Sequence, residues 1–256
     1  MSTLLSQYPN TLISLMVHTS GWTTAWGTER RYFYALQYVP TAEWDGWYEY
    51  VGSDNVYNVY HQAYLNCLAR PTDVTIDLTA YKVAANQLKV VAELGVEAGG
   101  SGKTMRVHMV LALDHWPPGY DWCRDSVKAG QNKGDIALNP GESALLTQEF
   151  SLDADCLAQP NDVKVVVFAQ EPLAGKPAQV YNANFLHGPF GFRKGDLNCD
   201  GLADFGDINP FVLALTNPAA YAVQFPNCDI NTGDINEDGY VNFGDINPFV
   251  RLLTNP

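Results

Sequence analysis

Long hydrophobic runs, basic clusters and paired cysteines are all missing from this chain of 256 residues. With no stretch of about 18 apolar residues, no membrane span is expected. Lys and Arg total 15 against 28 Asp and Glu, a formal charge of −13, which excludes nucleic acid as a partner because a phosphate backbone needs a basic footprint. The five cysteines, Cys67, Cys123, Cys156, Cys199 and Cys228, form no CxxC pair and have no histidine at zinc-finger spacing. An odd count allows two disulfides and one thiol, a pattern that suits an extracellular or cell-surface protein. The opening "MSTLLSQYPNTLISLMVH" has neither the basic region nor the small-residue cleavage site of a signal peptide. Either the chain is cytoplasmic or its natural N-terminus lies upstream. GxSxG, HExxH and Gly-rich phosphate loops do not occur, and His18, His61, His108 and His187 are scattered, so no enzyme is expected. One aromatic loop, "LDHWPPGYDW", gathers Asp114, His115, Trp116, Tyr120 and Trp122 as a ligand surface or as an ordinary loop with satisfied aromatics.

What is present is enough apolar residue, 46%, for two or three modules with modest cores. Residues 1–69 read as mixed α and β. "TLISLMV" (11–17) predicts a buried strand, and "GTERRYFYALQY" predicts a helix with Tyr32, Phe33, Ala35 and Leu36 at core spacing. "VPTAEWDGWYEYVG" is a hairpin around Asp45-Gly46, followed by a helix with Asp54 as N-cap and Pro71 as its stop. Strand, helix, Val39-Pro40-Thr41, DG hairpin and closing helix resemble the second half of a thioredoxin fold. The resemblance implies a cis peptide at Pro40, but the redox CxxC of that family is not in the chain; an oxidoreductase reading would need it upstream.

Residues 70–187 change to alternating strands. "DVTIDLTAY", "QLKVVAELGVEA", "TMRVHMVLALDHW", "SALLTQEFSL" and "DVKVVVFAQEP" are separated by Gly, Pro, Asn and Asp. That pattern predicts an immunoglobulin-like or fibronectin-like antiparallel β-sandwich, with a Cys123–Cys156 disulfide closing a loop. The three glycines of "HGPFGFRKG" mark a linker over 188–195. The fold class expected is therefore multidomain α+β.

The last module, 196–256, is duplicated. "DFGDINPFVLALTNP" from Asp204 and "NFGDINPFVRLLTNP" from Asn242 differ at three positions, and the acidic loops before them, "DLNCDGLADFGD" and "DINEDGYVNFGD", start 38 residues apart. This segment carries −8 of the net charge, with eight Asp and one Glu against one Arg. Each twelve-residue loop has oxygen-bearing side chains at positions 1, 3, 5, 9 and 12 and glycine at 6. Calcium is a hard cation that takes six to eight oxygens, and this spacing wraps a short chain around one ion. The expected ligands are Asp196, Asn198, Asp200, the Leu202 carbonyl, Asp204 and Asp207 in the first loop. In the second they are Asp234, Asn236, Asp238, the Tyr240 carbonyl, Asn242 and Asp245. Two calcium ions are expected, each held by an acid at position 12 shorter than the bidentate Glu of a tight EF-hand.

An EF-hand has a helix on each side of its loop. The segments entering these loops carry too many Gly, Pro and Asn to be helical, whereas Asn209-Pro210 and Asn247-Pro248 predict the N-caps and first turns of leaving helices. Duplicated loop-plus-exit-helix halves resemble the dockerin family. The resemblance implies calcium-dependent folding and a cohesin-type protein partner, and dockerins often ride on polysaccharide-degrading enzymes. The family's partner contact maps to Phe205, Gly206, Phe243 and Gly244, where Ser or Thr would be usual. The phenylalanines therefore meet a different kind of partner or dock on their own protein. Phe211, Val212, Leu215, Phe249, Val250 and Leu253 are expected as core. Cys199 and Cys228 lie one in each half and could cross-link them. The expected function is a non-enzymatic secreted or surface protein that associates through this module; a self-assembling extracellular subunit is the alternative.

Overall fold

The computed structural model describes residues 1–52, 56–120 and 122–254; Asp54, the expected helix cap, lies outside the described residues. The chain forms two compact units. One comprises residues 1–79, 91–148 and 159–189, the other 80–90, 149–158 and 190–256.

In the first unit, α1 (Ser2–Gln7) and α3 (Val56–Leu68) pack against a hairpin of β1 (Thr41–Trp44) and β2 (Tyr48–Val51). Leu4, Leu5, Leu12, Trp44, Tyr60 and Tyr64 form their common core. The hairpin turns at Asp45 and Gly46, both at positive φ (49° and 67°), as a two-residue turn that matches strand twist demands. The Val39–Pro40 peptide ahead of it is cis. Helix α1 was not expected; its "STLLSQ" is too short for periodicity to stand out, and the burial of Leu4 and Leu5 holds it.

Among the described residues seven further strands form two sheets. The first is ordered β3-β4-β7, from β3 (Val74–Ala84), β4 (Gln87–Val96) and β7 (Ser143–Ser151). The second is ordered β6-β5-β8-β9, from β5 (Lys103–Leu113), β6 (Ser126–Leu138), β8 (Val163–Gln170) and β9 (Val180–His187). Its neighbouring strands are all antiparallel. Strands β6 and β9 were not foreseen. "SVKAGQNKGDIAL" looks like a loop because of its glycines and amides, and it becomes a strand through its ladder to β5.

The expected strand at 11–17 does not form. This segment makes an isolated parallel bridge, Met16 to Ser126, with Met16 N–H donating to the Asp125 carbonyl at 2.9 Å and Val127 N–H to the Met16 carbonyl at 3.0 Å. Ile13, Leu15 and Val17 nevertheless face one way and pack with Trp26, Val110, Val127, Val166 and Phe168. Strands β5 and β8 are consequently buried on both faces, which explains why β8 reads as a continuous apolar run.

Helix α2 (Ala25–Phe33) is capped by the Thr24 hydroxyl, which accepts from Gly27 N–H. Its buried face is Trp26 and Arg30, four residues apart. The expected core face is corrected, because Tyr32 is exposed and the helix ends before Ala35, which has φ 49°. Gly130 on β6 makes room for Trp26: a Cβ there would fall 2.5 Å from the indole. Arg30 is buried and among the described residues has no carboxylate partner, donating instead to Gln170 Oε1 at 2.6 Å and to the Tyr34 hydroxyl at 2.8 Å. Beside it, His108 Nδ1 accepts from Trp26 Nε1 at 3.1 Å. Burial, reinforced by Arg30 and Arg106, pushes the His108 pKa down to about 3.

Cys123 and Cys156, the latter on the short helix α4 (Ala154–Ala158), are not joined, which corrects the expected disulfide: both are buried thiols.

Candidate functional site

In the second unit the duplicated loops fold alike, position by position. Glycine at position 6 takes a left-handed turn in each, Gly201 at φ 88° and Gly239 at φ 89°, a conformation that costs other residues a Cβ clash. Position 4 is also left-handed, Cys199 at φ 58° and Glu237 at φ 63°. The position-12 acid closes each loop. Asp207 Oδ1 accepts from Leu197 N–H (2.8 Å) and Asn198 N–H (3.0 Å), and its Oδ2 from Asp204 N–H (2.9 Å). Asp245 does the same with Ile235 (2.8 Å), Asn236 (3.0 Å) and Asn242 (2.9 Å). The position-1 acid grips the turn: Asp196 accepts from Asp200 and Gly201 N–H, and Asp234 from Asp238 and Gly239 N–H. Asn198 donates to Asp200 at 2.8 Å and Asn236 to Asp238 at 3.0 Å.

Each loop leads through a single 3-10 turn, Phe205–Asp207 or Phe243–Asp245, into a helix, α5 (Ile208–Thr216) or α7 (Ile246–Thr254). The turn is fastened by a capping box between positions 9 and 12, Asp204 with Asp207 and Asn242 with Asp245. The helices therefore begin before Asn209 and Asn247, which are not N-caps. Pro210 and Pro248 occupy the third helical position, where a missing N–H still breaks no intrahelical bond. Between the halves runs α6 (Pro218–Gln224), capped by Asn217. Phe211 and Phe249, equivalent in the two halves, stack with ring centroids 4.3 Å apart at the centre of the module. The core expectation is corrected at Val212 and Val250, which are 49% and 51% exposed. With Phe205 (70% exposed) they line one apolar groove between α5 and α7; Phe243 (73%), Gly206 and Gly244 are exposed but Phe243 does not line it.

Asp196, Asp207 and Asp245 are wholly buried, and among the described ion pairs no cation meets them. Burial, with Asp207 and Asp200 adding repulsion, raises the Asp196 pKa to about 6; burial raises that of Asp207 as well. No group of three His, Cys, Asp or Glu forms a metal-holding cluster among the described residues; each loop's donors mix carboxylates, Asn amides and a backbone carbonyl. The donor set is hard oxygen throughout, and a Cβ on Gly206 or Gly244 would come within 3.0 Å of the position-9 side chain. Hard oxygen donors are the kind that calcium takes.

Residues outside the motif hold the first loop, and no sequence signal marked them. Tyr81 donates to the Gly201 carbonyl at 3.0 Å, Tyr221 to the Leu197 carbonyl at 2.8 Å and Thr232 to the Asp196 carbonyl at 3.2 Å. Cys199 is joined to Cys228. Residues 190–195, expected as linker, belong to this unit, and Lys82 N–H donates to the Gly191 carbonyl.

The aromatic loop sits in the first unit. Trp116 and Tyr120 meet Trp22 edge-on at 6.1 and 5.6 Å, Trp122 meets Tyr120 at 5.8 Å, and Asp114 forms a two-pronged pair with Arg124. The aromatics thus largely satisfy one another.

Fold and sites together define a mixed α+β protein with antiparallel sheets and a duplicated acidic module; among the described residues no helix is long and apolar enough to cross a membrane. No protein-family model and no curated protein matches the chain. Among solved structures, HBP35 of Porphyromonas gingivalis aligns over 64% of this chain with 16% identity and a TM-score of 0.48, and the chain spans 57% of its length. A domain of the outer membrane lipoprotein Omp28 from Porphyromonas gingivalis aligns over 48% of this chain and 93% of its own, at 13% identity and TM-score 0.31. Spo0M, a sporulation control protein from Bacillus subtilis, aligns over 48% and 50%, at 13% and 0.32. These likenesses define neither a family nor an activity for the chain.

Proposed function

We propose that the chain is a non-enzymatic protein of the cell exterior whose dockerin-like module, residues 196–256, binds two calcium ions and joins it to a protein partner. The observation that carries this reading is the duplicated network: two loops 38 residues apart in sequence place the same backbone N–H groups on the same carboxylates. Asp196, Asn198, Asp200, Leu202, Asp204 and Asp207 would hold one ion, and Asp234, Asn236, Asp238, Tyr240, Asn242 and Asp245 the other. The ion's contribution is to neutralise carboxylates that are buried without cations, which lowers the free energy of the folded module. The exposed apolar groove between α5 and α7, lined by Phe205, Val212 and Val250 among others, supports an apolar partner surface of the cohesin type. The Cys199–Cys228 bond supports an oxidising compartment.

Isothermal titration of chelator-stripped protein is expected to find two calcium ions per chain, and chelation to lower the melting temperature. Saturating an isolated site at a hundred times its Kd stabilises by about 2.7 kcal/mol. No heat of binding and an unchanged melting temperature would end this reading. Sizing with and without calcium separates a protein partner from self-assembly, since only the latter gives larger particles of the pure protein.

A further inference from the structure

Outside the calcium module, the first unit buries a second charged group of an unusual kind. Lys164, on β8, and Asp125, directly before β6, have side chains only 6% and 1% exposed, with Lys164 Nζ 2.6 Å from Asp125 Oδ1. The contact is not a hydrogen bond. Among the described residues Oδ1 is buried without any hydrogen-bond partner although the amine is at contact distance. Among the described residues no hydrogen bond from Lys164 is found, and the ring of Phe185 lies 5.3 Å from its amine. The other carboxyl oxygen is engaged, since the Ser14 hydroxyl donates to Asp125 Oδ2 in a short hydrogen bond. The Asp125 backbone is held too, its N–H donating to Asp114 Oδ1 at 3.1 Å and its carbonyl accepting from Met16 N–H.

We propose that Lys164 and Asp125 condense into an amide, an isopeptide cross-link between β8 and the start of β6. One proton transfer across the 2.6 Å contact gives the neutral amine and the carboxylic acid. Nζ then attacks Cγ. The Nζ–Cγ bond forms and the Cγ–Oδ1 bond breaks; the oxygen leaves as water with two of the three ammonium protons, and the third stays on the amide nitrogen. Nothing is oxidised or reduced. Ser14 polarises the carbonyl that remains by donating to Oδ2. Condensation is unfavourable between free solutes in water, but groups locked at contact react with effective molarities of about 10⁵–10⁸ M. The product removes both charges and leaves one N–H where three stood.

The test is the mass of the full chain in reducing denaturant, where the disulfide does not contribute. The expected mass is one water below that of the sequence, and a tryptic digest is expected to yield one branched fragment joining the peptides of Lys164 and Asp125. Asp125→Ala and Lys164→Met should each return the full mass, and Ser14→Ala should lower the joined fraction. A wild-type chain at full mass overturns the proposal, and so does a missing water that maps elsewhere, such as a succinimide at Asp45-Gly46. Because the wild-type mass decides the matter, a variant that fails to fold does not blunt the test.

Discussion

Replacing Asp207 by alanine probes the acidic module where its local geometry is tightest. The carboxylate is wholly buried and accepts three backbone N–H bonds. Hydrogen bonds to a charged group contribute about 1.5–3 kcal/mol each. Only Leu197 is itself fully buried; the amides of Asn198 and Asp204 can turn to water, so the loss is nearer 3–5 kcal/mol than the full sum (about 4.5–9). Relief of repulsion with Asp196 offsets on the order of 1 kcal/mol. A net cost of about 2–4 kcal/mol remains without any metal, which lowers the melting midpoint by roughly 4–16 °C. Calorimetry in chelator measures it directly, with Asp245→Ala as the equivalent change in the second loop. Asp200→Ala, at an exposed position of the same loop, is expected to cost about 1 kcal/mol or less in chelator and to show its effect only when calcium is added. An Asp207→Ala protein that melts with the wild type in chelator would refute the view that this carboxylate organises the loop.

Three other outcomes follow from the rest of the molecule. Gly130→Ala drives a Cβ into the Trp26 indole and should cost about 1–3 kcal/mol, read by urea unfolding with a change in tryptophan emission. His108 has a folded-state pKa of about 3, below its unfolded value of about 6.5. Its contribution is therefore intact above pH 6.5 and lost as the pH falls towards 3, by about 1.4 kcal/mol per pH unit; His108→Gln should flatten that part of the stability profile. Cys199 and Cys228 are 29 residues apart, so the double serine variant should lose about 3–4 kcal/mol on the chain-entropy estimate, and an unchanged denaturant midpoint would count against it.

Local chemistry was legible in the sequence wherever it depends on neighbours in the chain. The Asp45-Gly46 turn and the glycine at position 6 of each acidic loop arise from residues a few positions apart and appear where the pattern put them, and an exit helix follows each loop. The helix starts at Ile208 and Ile246 were misplaced because a capping box between positions 9 and 12 begins the turn before Asn209 and Asn247 can cap it. Segment 11–17 has the composition of a strand, yet it pairs with β6 only through the Met16–Ser126 bridge, and its apolar side chains pack against the cluster around Trp26 instead.

By itself, then, the sequence determined the duplicated loops, the spacing of their oxygen-bearing side chains and the strand-rich middle, because these are set by spacing and by side-chain chemistry. Only the tertiary structure decided which distant groups meet. The Trp26–His108 contact, Tyr81 on the Gly201 carbonyl, the exposure of Val212 and Val250 and the burial of Lys164 against Asp125 depend on long-range packing. A side chain's partner across the fold is fixed by the register of strands far apart in the chain, and that register leaves no local mark.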